Sequence, residues 1–216
     1  MPGRDALGDG LGVGRFDGPA AGSTVDDETL LRGCWALALL TEVYRVGGIV
    51  PGSPLCELDP DRVRAADLLA LASPSGVTEL EQLCQLARTA LLPHLAVRRG
   101  PWAIGPTFDG SKLMKADADF IAAGLLVEMK TSLGDKRADG SRRAGLDGPT
   151  LQQMLGYLLL DFPDEFAIKD LGLYAARYGH LTTWRLPELL QELAGHPVDL
   201  TAERAAFHAL LLGRSP

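Results

Sequence analysis

Cysteine is scarce in this sequence. Cys34, Cys56 and Cys84 are odd in number and widely spaced, which excludes a paired disulfide framework, a CxxC metal knuckle and a four-cysteine iron–sulfur cluster. Reduced, partly buried thiols are expected instead. Long apolar runs are missing too: the longest near the start, Cys34 to Leu40, is followed by Glu42 and Arg45 and is far too short to cross a bilayer. The opening MPGRDALGDGLGVGRF contains Asp5 and Asp9 and no apolar core, so it predicts no signal peptide, no membrane partner and a cytoplasmic location. The histidines, His94, His180, His196 and His208, form no HxH, HxxxH or HExxH pattern, and core or surface roles are expected for each.

Positive charge is also in short supply, with a formal net charge of -7. A binder of polyphosphate usually needs a basic face. The deficit is a weak veto, because carboxylates that hold metal ions subtract charge without opposing a phosphate once the ions are bound. Basic residues also cluster locally, at Arg98–Arg99, Lys112 and Lys115, and across Lys136, Arg137, Arg142 and Arg143. What the chain has in quantity is apolar sequence, 46% of its residues, enough for a sizeable core and against a mainly disordered chain.

Patterning divides the chain. Residues 1–25 are rich in Gly, Ala and Asp without periodicity and read as a flexible arm. A helical region follows over 26–96. Its first helix opens with Asp26, Asp27 and Glu28 and stops at Gly47–Gly48. A second is expected from Asp59 to Ala72. A third is expected from Thr78 to Leu92, with Thr78 and Glu81 as a capping box and Pro93 as the stop. From residue 97 to 216 short apolar segments take over: Phe120–Ile121, Leu125–Met129, Leu171–Ala175 and Leu181–Leu186 read as strands. The last two are joined by ARYGH, with Gly179 for the turn. A Gly-, Asp- and Arg-rich loop spans Gly134–Gly148, a helix spans Pro149–Asp161, and helices at Pro187–Ala194 and Thr201–Leu212 close the chain. Strand–strand–helix–strand–strand between helices predicts a mixed α/β domain.

One constellation carries chemistry. Asp119 directly precedes the apolar Phe120–Ile121, and Glu128 and Lys130 end the run LLVEMK. Strand alternation places Glu128 and Lys130 on one face and Val127 and Met129 on the other. Gly124 lies in the interval and suits a tight hairpin, which would set Asp119 beside Glu128. Two carboxylates suit a hard cation such as Mg²⁺ or Mn²⁺, and a lysine beside them suits stabilisation of a phosphoryl transition state. Taken singly, Asp119 would be a surface acid and Glu128–Lys130 an ion pair of little worth. The apolar residues around Glu128 predict a buried strand, where charges need a purpose. Asp117 competes for the role of first acid. Gly105–Lys112, GPTFDGSK, superficially suggests a phosphate loop, but Ser precedes Lys and no helix is expected after it.

The segment ADADFIAAGLLVEMK resembles the core motif of the PD-(D/E)XK nuclease superfamily, with Asp119 as first acid, Glu128 as second and Lys130 as the lysine; Ala118 stands where the motif name has proline. Gln153 with Tyr157 is similar to the QxxxY helix motif of the RecB-like exonuclease branch. The match spans residues 105–186. The resemblance implies a restriction-endonuclease-like core and hydrolysis of nucleic-acid phosphodiester bonds, DNA ahead of RNA, in bacterial DNA processing, repair or phage defence. Mg²⁺ or Mn²⁺ would be held by Asp119, Glu128 and the Met129 carbonyl, with Lys130, Gln153 and Tyr157 completing the catalytic set. Relatives in that branch often add an upstream acid; Glu81, Glu79 and Glu42 are the candidates. A silent nuclease-fold scaffold, an RNA-cleaving enzyme, a homodimer and a subunit of a larger complex are all compatible with these residues.

Overall fold

The computed structural model describes residues 26–143 and 145–214, so the arm expected at residues 1–25 lies outside the described residues. The chain divides into two compact units between Gln85 and Leu86. Segment 86–96, expected in the helical region, clusters with the sheet.

The first unit is helical. Helix α1 spans Asp27–Val46. Asp26 accepts the Thr29 backbone N–H at 2.9 Å, and Gly47 closes the helix in a left-handed conformation, φ 79°, donating to the Val43 carbonyl. This follows the sequence expectation, because an acidic N-cap and a C-terminal glycine satisfy the free backbone groups at each end. Helix α2 is only Ala65–Ala70, shorter than expected. Asp59 turns its own backbone, accepting the Asp61 N–H at 3.1 Å, so residues 59–62 form a turn and the helix starts later. Helix α3 starts at Pro74 and ends at Leu86, so the capping box expected at Thr78 does not form. The Ser73 hydroxyl accepts the Gly76 N–H instead, and Thr78 lies inside the helix, its hydroxyl donating to the Pro74 carbonyl. Arg32 fastens α1 to the end of α2, donating to the Ala72 carbonyl at 2.8 Å. All three cysteines are free and exposed, rather than partly buried; on α1 it is Ala36, not Cys34, that is buried.

The second unit begins with a π-helical turn, Ala87–Leu91. Helix α4, Leu92–Ala96, follows, with Pro93 in its first turn. Proline needs no N–H partner there, so it reopens a helix rather than ending one. The strands are β1 (Trp102–Ile104), β2 (Phe120–Ala122), β3 (Leu125–Lys130), β4 (Asp135–Lys136), β5 (Arg142–Arg143), β6 (Asp170–Ala175) and β7 (His180–Arg185). The helices are α5 (Gly148–Leu160), α6 (Leu186–Ala194) and α7 (Leu200–Leu211). A five-stranded mixed sheet runs β1-β2-β3-β6-β7, and β4 and β5 make a separate hairpin. Sequence patterning missed β1, too short to show alternation, and took β4–β5 as loop because both strands are polar and exposed. Segment Asp109–Lys112 is a single 3-10 turn.

The sheet is a hairpin joined to a parallel crossover. β2 and β3 are antiparallel, β3 and β6 parallel, β6 and β7 antiparallel. The parallel pair is linked through α5, the usual route, since such strands need a crossover. Leu126 and Leu171 meet Met154, Leu158 and Leu160 of α5 and Leu186 and Leu189 of α6 in the core. Val127 and Leu125 face the other side, over Gly172. Arg204 on α7, 5% exposed, donates to the Leu158 carbonyl and pairs with Asp164 at 2.8 Å. Among the described residues no helix is long and apolar enough to cross a membrane.

Candidate metal and phosphate site

The β2–β3 turn fixes the site. Ala123 and Gly124 both have positive φ, 49° and 81°, the requirement of a two-residue type I′ connection. A Cβ on Gly124 would lie 2.9 Å from the Ala167 carbonyl oxygen, so glycine is needed both for conformation and for space. The turn sets Phe120 opposite Val127. One step further along that register brings Asp119 opposite Glu128.

Side-chain contacts agree. Asp119 Oδ2 accepts the Met129 backbone N–H at 2.6 Å. The Asp119 side chain is exposed. Glu128 is on the α5 side of β3, shared with Leu126, and is only 3% exposed. Its Oε1 accepts from Lys130 Nζ at 2.7 Å, whereas Oε2 is buried with no partner. Lys130 Nζ also donates to Gln153 Oε1 at 3.0 Å, and Gln153 Nε2 donates to the Tyr157 hydroxyl at 2.5 Å. Gln153 and Tyr157 are four apart and therefore on one face of α5. The Tyr157 ring is buried and stacks on Phe108, centroids 5.5 Å apart, so it holds Gln153 from behind.

Electrostatics follow from burial. Desolvation raises the Glu128 carboxyl above its ordinary range; the Lys130 hydrogen bond opposes this and the Asp119 charge adds to it. Tyr157 is likewise raised, first by burial, with Gln153 opposing. Asp117 acts on both groups, more weakly than Asp119. Asp147, which the sequence reading passed over, caps α5 by accepting the Thr150 N–H at 2.7 Å and feels the Lys130 charge. An Asp before Gly–Pro is the signal that could have found it.

Among the described residues no three His, Cys, Asp or Glu side chains are grouped to hold a metal ion. The donors present still fit a hard divalent cation, which is commonly bound through one or two carboxylates with the remaining positions taken by water. The buried Glu128 Oε2 is the donor that bears on this: Lys130 already pairs with Oε1, while Oε2 has no partner, a costly state for a buried polar atom that a bound cation would relieve. Glu81 and Glu79 lie on α3 and Glu42 on α1, in the helical unit. Arg177 Nε donates to the Thr131 carbonyl and the Tyr178 hydroxyl to the Leu133 carbonyl, pinning the strand exit just past Lys130. Comparison with protein-family models, curated proteins and solved structures finds no match to this chain.

Proposed function

We propose that this chain is a divalent-cation-dependent nuclease, on a restriction-endonuclease-like core of the PD-(D/E)XK type, that hydrolyses phosphodiester bonds of DNA. The observation that carries the reading is the buried, unpartnered Oε2 of Glu128, set beside Asp119 on one side and Lys130 on the other. Asp119, Glu128 and the Met129 carbonyl would hold Mg²⁺ or Mn²⁺, which when bound neutralises phosphate charge and activates water. Lys130 has three donors; two are directed to Glu128 and Gln153, leaving one for the attacking water or for the charge developing on the phosphate. Gln153 orients that ammonium, and Tyr157 orients Gln153. A second reading, a catalytically silent scaffold on the same fold, draws on the net charge of -7 and on the absence of a three-ligand cluster among the described residues.

The test is cleavage of linear, circular and single-stranded DNA, and of RNA, with Mg²⁺ or Mn²⁺, using wild type, Asp119→Ala and Lys130→Ala. Cleavage abolished by EDTA and by both substitutions supports the nuclease. Cleavage of RNA alone moves the substrate, and inertness of wild type toward every substrate hands the lead to the scaffold.

A further inference from the structure

The β4–β5 hairpin is a strong local exception to the acidity of the chain. Residues 130–143 contain five basic side chains, Lys130, Lys136, Arg137, Arg142 and Arg143, against Asp135 and Asp139. Lys136 stands directly opposite Arg142 in the antiparallel register, and Asp135 opposite Arg143. The turn is closed by the Arg137 N–H to the Ser141 carbonyl and the Gly140 N–H to the Arg137 carbonyl, with Gly140 at φ 84°. Both strands are exposed.

Turn bonds and the Asp135–Arg143 pair hold the hairpin, but they do not account for Lys136 opposite Arg142. Like charges directly across a strand pair are destabilising, and a two-stranded ribbon is marginal alone. In the exposed hairpin this repulsion is small and screened by solvent, and a bound polyanion would turn it into attraction. The hairpin's place in the chain says where that anion goes. It leaves β3 five residues after Lys130, a reach of at most about 18 Å, and leads into α5, which carries Gln153. Arg177 and Tyr178 hold the carbonyls of Thr131 and Leu133 on the way, and Arg142 Nη1 holds the Gly134 carbonyl, which leaves most of its guanidinium donors unused.

We propose that the hairpin Asp135–Arg143 is a backbone clamp that grips the phosphates of a nucleic-acid strand flanking the bond to be cut. The proposal rests on the nuclease reading for the position of that bond. Guanidinium forks match phosphate oxygens in pairs. The hairpin carries no aromatic side chain, so its grip is on the backbone and independent of base sequence. Binding through it releases counterions and weakens steeply with salt.

The experiment is fluorescence anisotropy of labelled single- and double-stranded DNA oligonucleotides with full-length protein in EDTA, where binding is separated from hydrolysis. Wild type is compared with Lys136→Gln/Arg142→Gln and with Arg137→Gln/Arg143→Gln, which neutralise the two faces of the hairpin separately, so that one misfolded variant does not decide the result. Each pair is expected to weaken binding about tenfold at low salt and to flatten the dependence of log affinity on log salt by roughly 1.4 to 1.8, two phosphate contacts' worth. Wild-type affinity and salt slope in both variants overturn the clamp, even if wild type cleaves DNA. Equal binding of a poly-glutamate chain of matching charge also overturns it. Salt-dependent DNA binding lost in the variants upholds backbone binding by the hairpin even where Mg²⁺ and Mn²⁺ give no cleavage; in that case the nuclease reading falls, and with it the placing of the grip beside a cut bond.

Discussion

The Asp119 carboxylate receives the backbone N–H of Met129 at 2.6 Å, so the end of one strand is tied to the residue that lies between Glu128 and Lys130 on the next. The contact uses one oxygen of Asp119 and orients the other. Asp119→Asn keeps an oxygen acceptor for the amide while removing the charge. It should therefore fold like wild type, within about 0.5 kcal/mol, yet lose Mn²⁺ binding by at least roughly tenfold. Isothermal titration with Mn²⁺ checks this; undiminished affinity in the variant would remove Asp119 from the metal set.

Lys130 and Gln153 separate in their expected effects. Removing the ammonium in Lys130→Ala should lower kcat by about 10²- to 10³-fold, the cost of deleting one well-placed donor to a developing charge. Gln153→Ala leaves the ammonium in place but unoriented, so a smaller loss is expected. Single-turnover cleavage rates give the ranking, and a Gln153→Ala variant slower than Lys130→Ala would contradict it.

Burial lifts the Glu128 carboxyl above the ordinary carboxylate range. A group whose folded-state pKa is raised contributes its stability fully below the unfolded pKa and loses it as pH climbs through the folded value. In EDTA, wild type should thus lose Tm relative to Glu128→Gln between mildly acidic pH and the raised pKa, and the gap should level off above it. Mn²⁺ at neutral pH should raise the Tm of wild type and leave the variant unmoved. Melting curves for the two proteins that run parallel at every pH would mean the carboxylate is not strained by burial.

Gly124→Ala tests the turn. The substituted Cβ meets the Ala167 carbonyl at 2.9 Å in a backbone with φ 81°, a combination expected to cost roughly 1–3 kcal/mol. Because the turn sets the register of Asp119 against Glu128, activity should fall beyond what the unfolded fraction explains. Urea denaturation beside a cleavage assay separates the two; a loss of stability with full specific activity in the folded fraction would show that the register survives.

Arg204→Leu probes the brace between α7 and α5. It removes a buried cation from Asp161 and Asp164 and a donor from the Leu158 carbonyl. Asp164 is half exposed and Asp161 is already held by the Glu165 and Phe166 N–H groups, so losing this cation and the bond to the Leu158 carbonyl is expected to cost about 1–3 kcal/mol. The measurement is the urea midpoint, and a shift corresponding to less than about 1 kcal/mol would assign Arg204 no bracing role.

Local chemistry in the sequence determined a good part of this. Asp26 and Gly47 delimit α1 because caps act on the backbone beside them, and the apolar runs of β3 and β6 declared themselves as buried strands. Glu128 and Lys130 shared a face by alternation alone, and Gln153 and Tyr157 by helical spacing. Where competing local interactions were possible, the pattern misled: Thr78 looked like a cap but was overtaken by Ser73, Asp59 turned its own backbone, and Pro93 reopened a helix. The polar β4–β5 hairpin had no apolar alternation to reveal it. Only the tertiary structure decided that Lys130 reaches Gln153, that Tyr157 is buried behind it, and that Glu128 keeps one oxygen without a partner. Those facts depend on how β3, β6 and α5 pack, contacts between residues far apart in the chain that no local periodicity encodes.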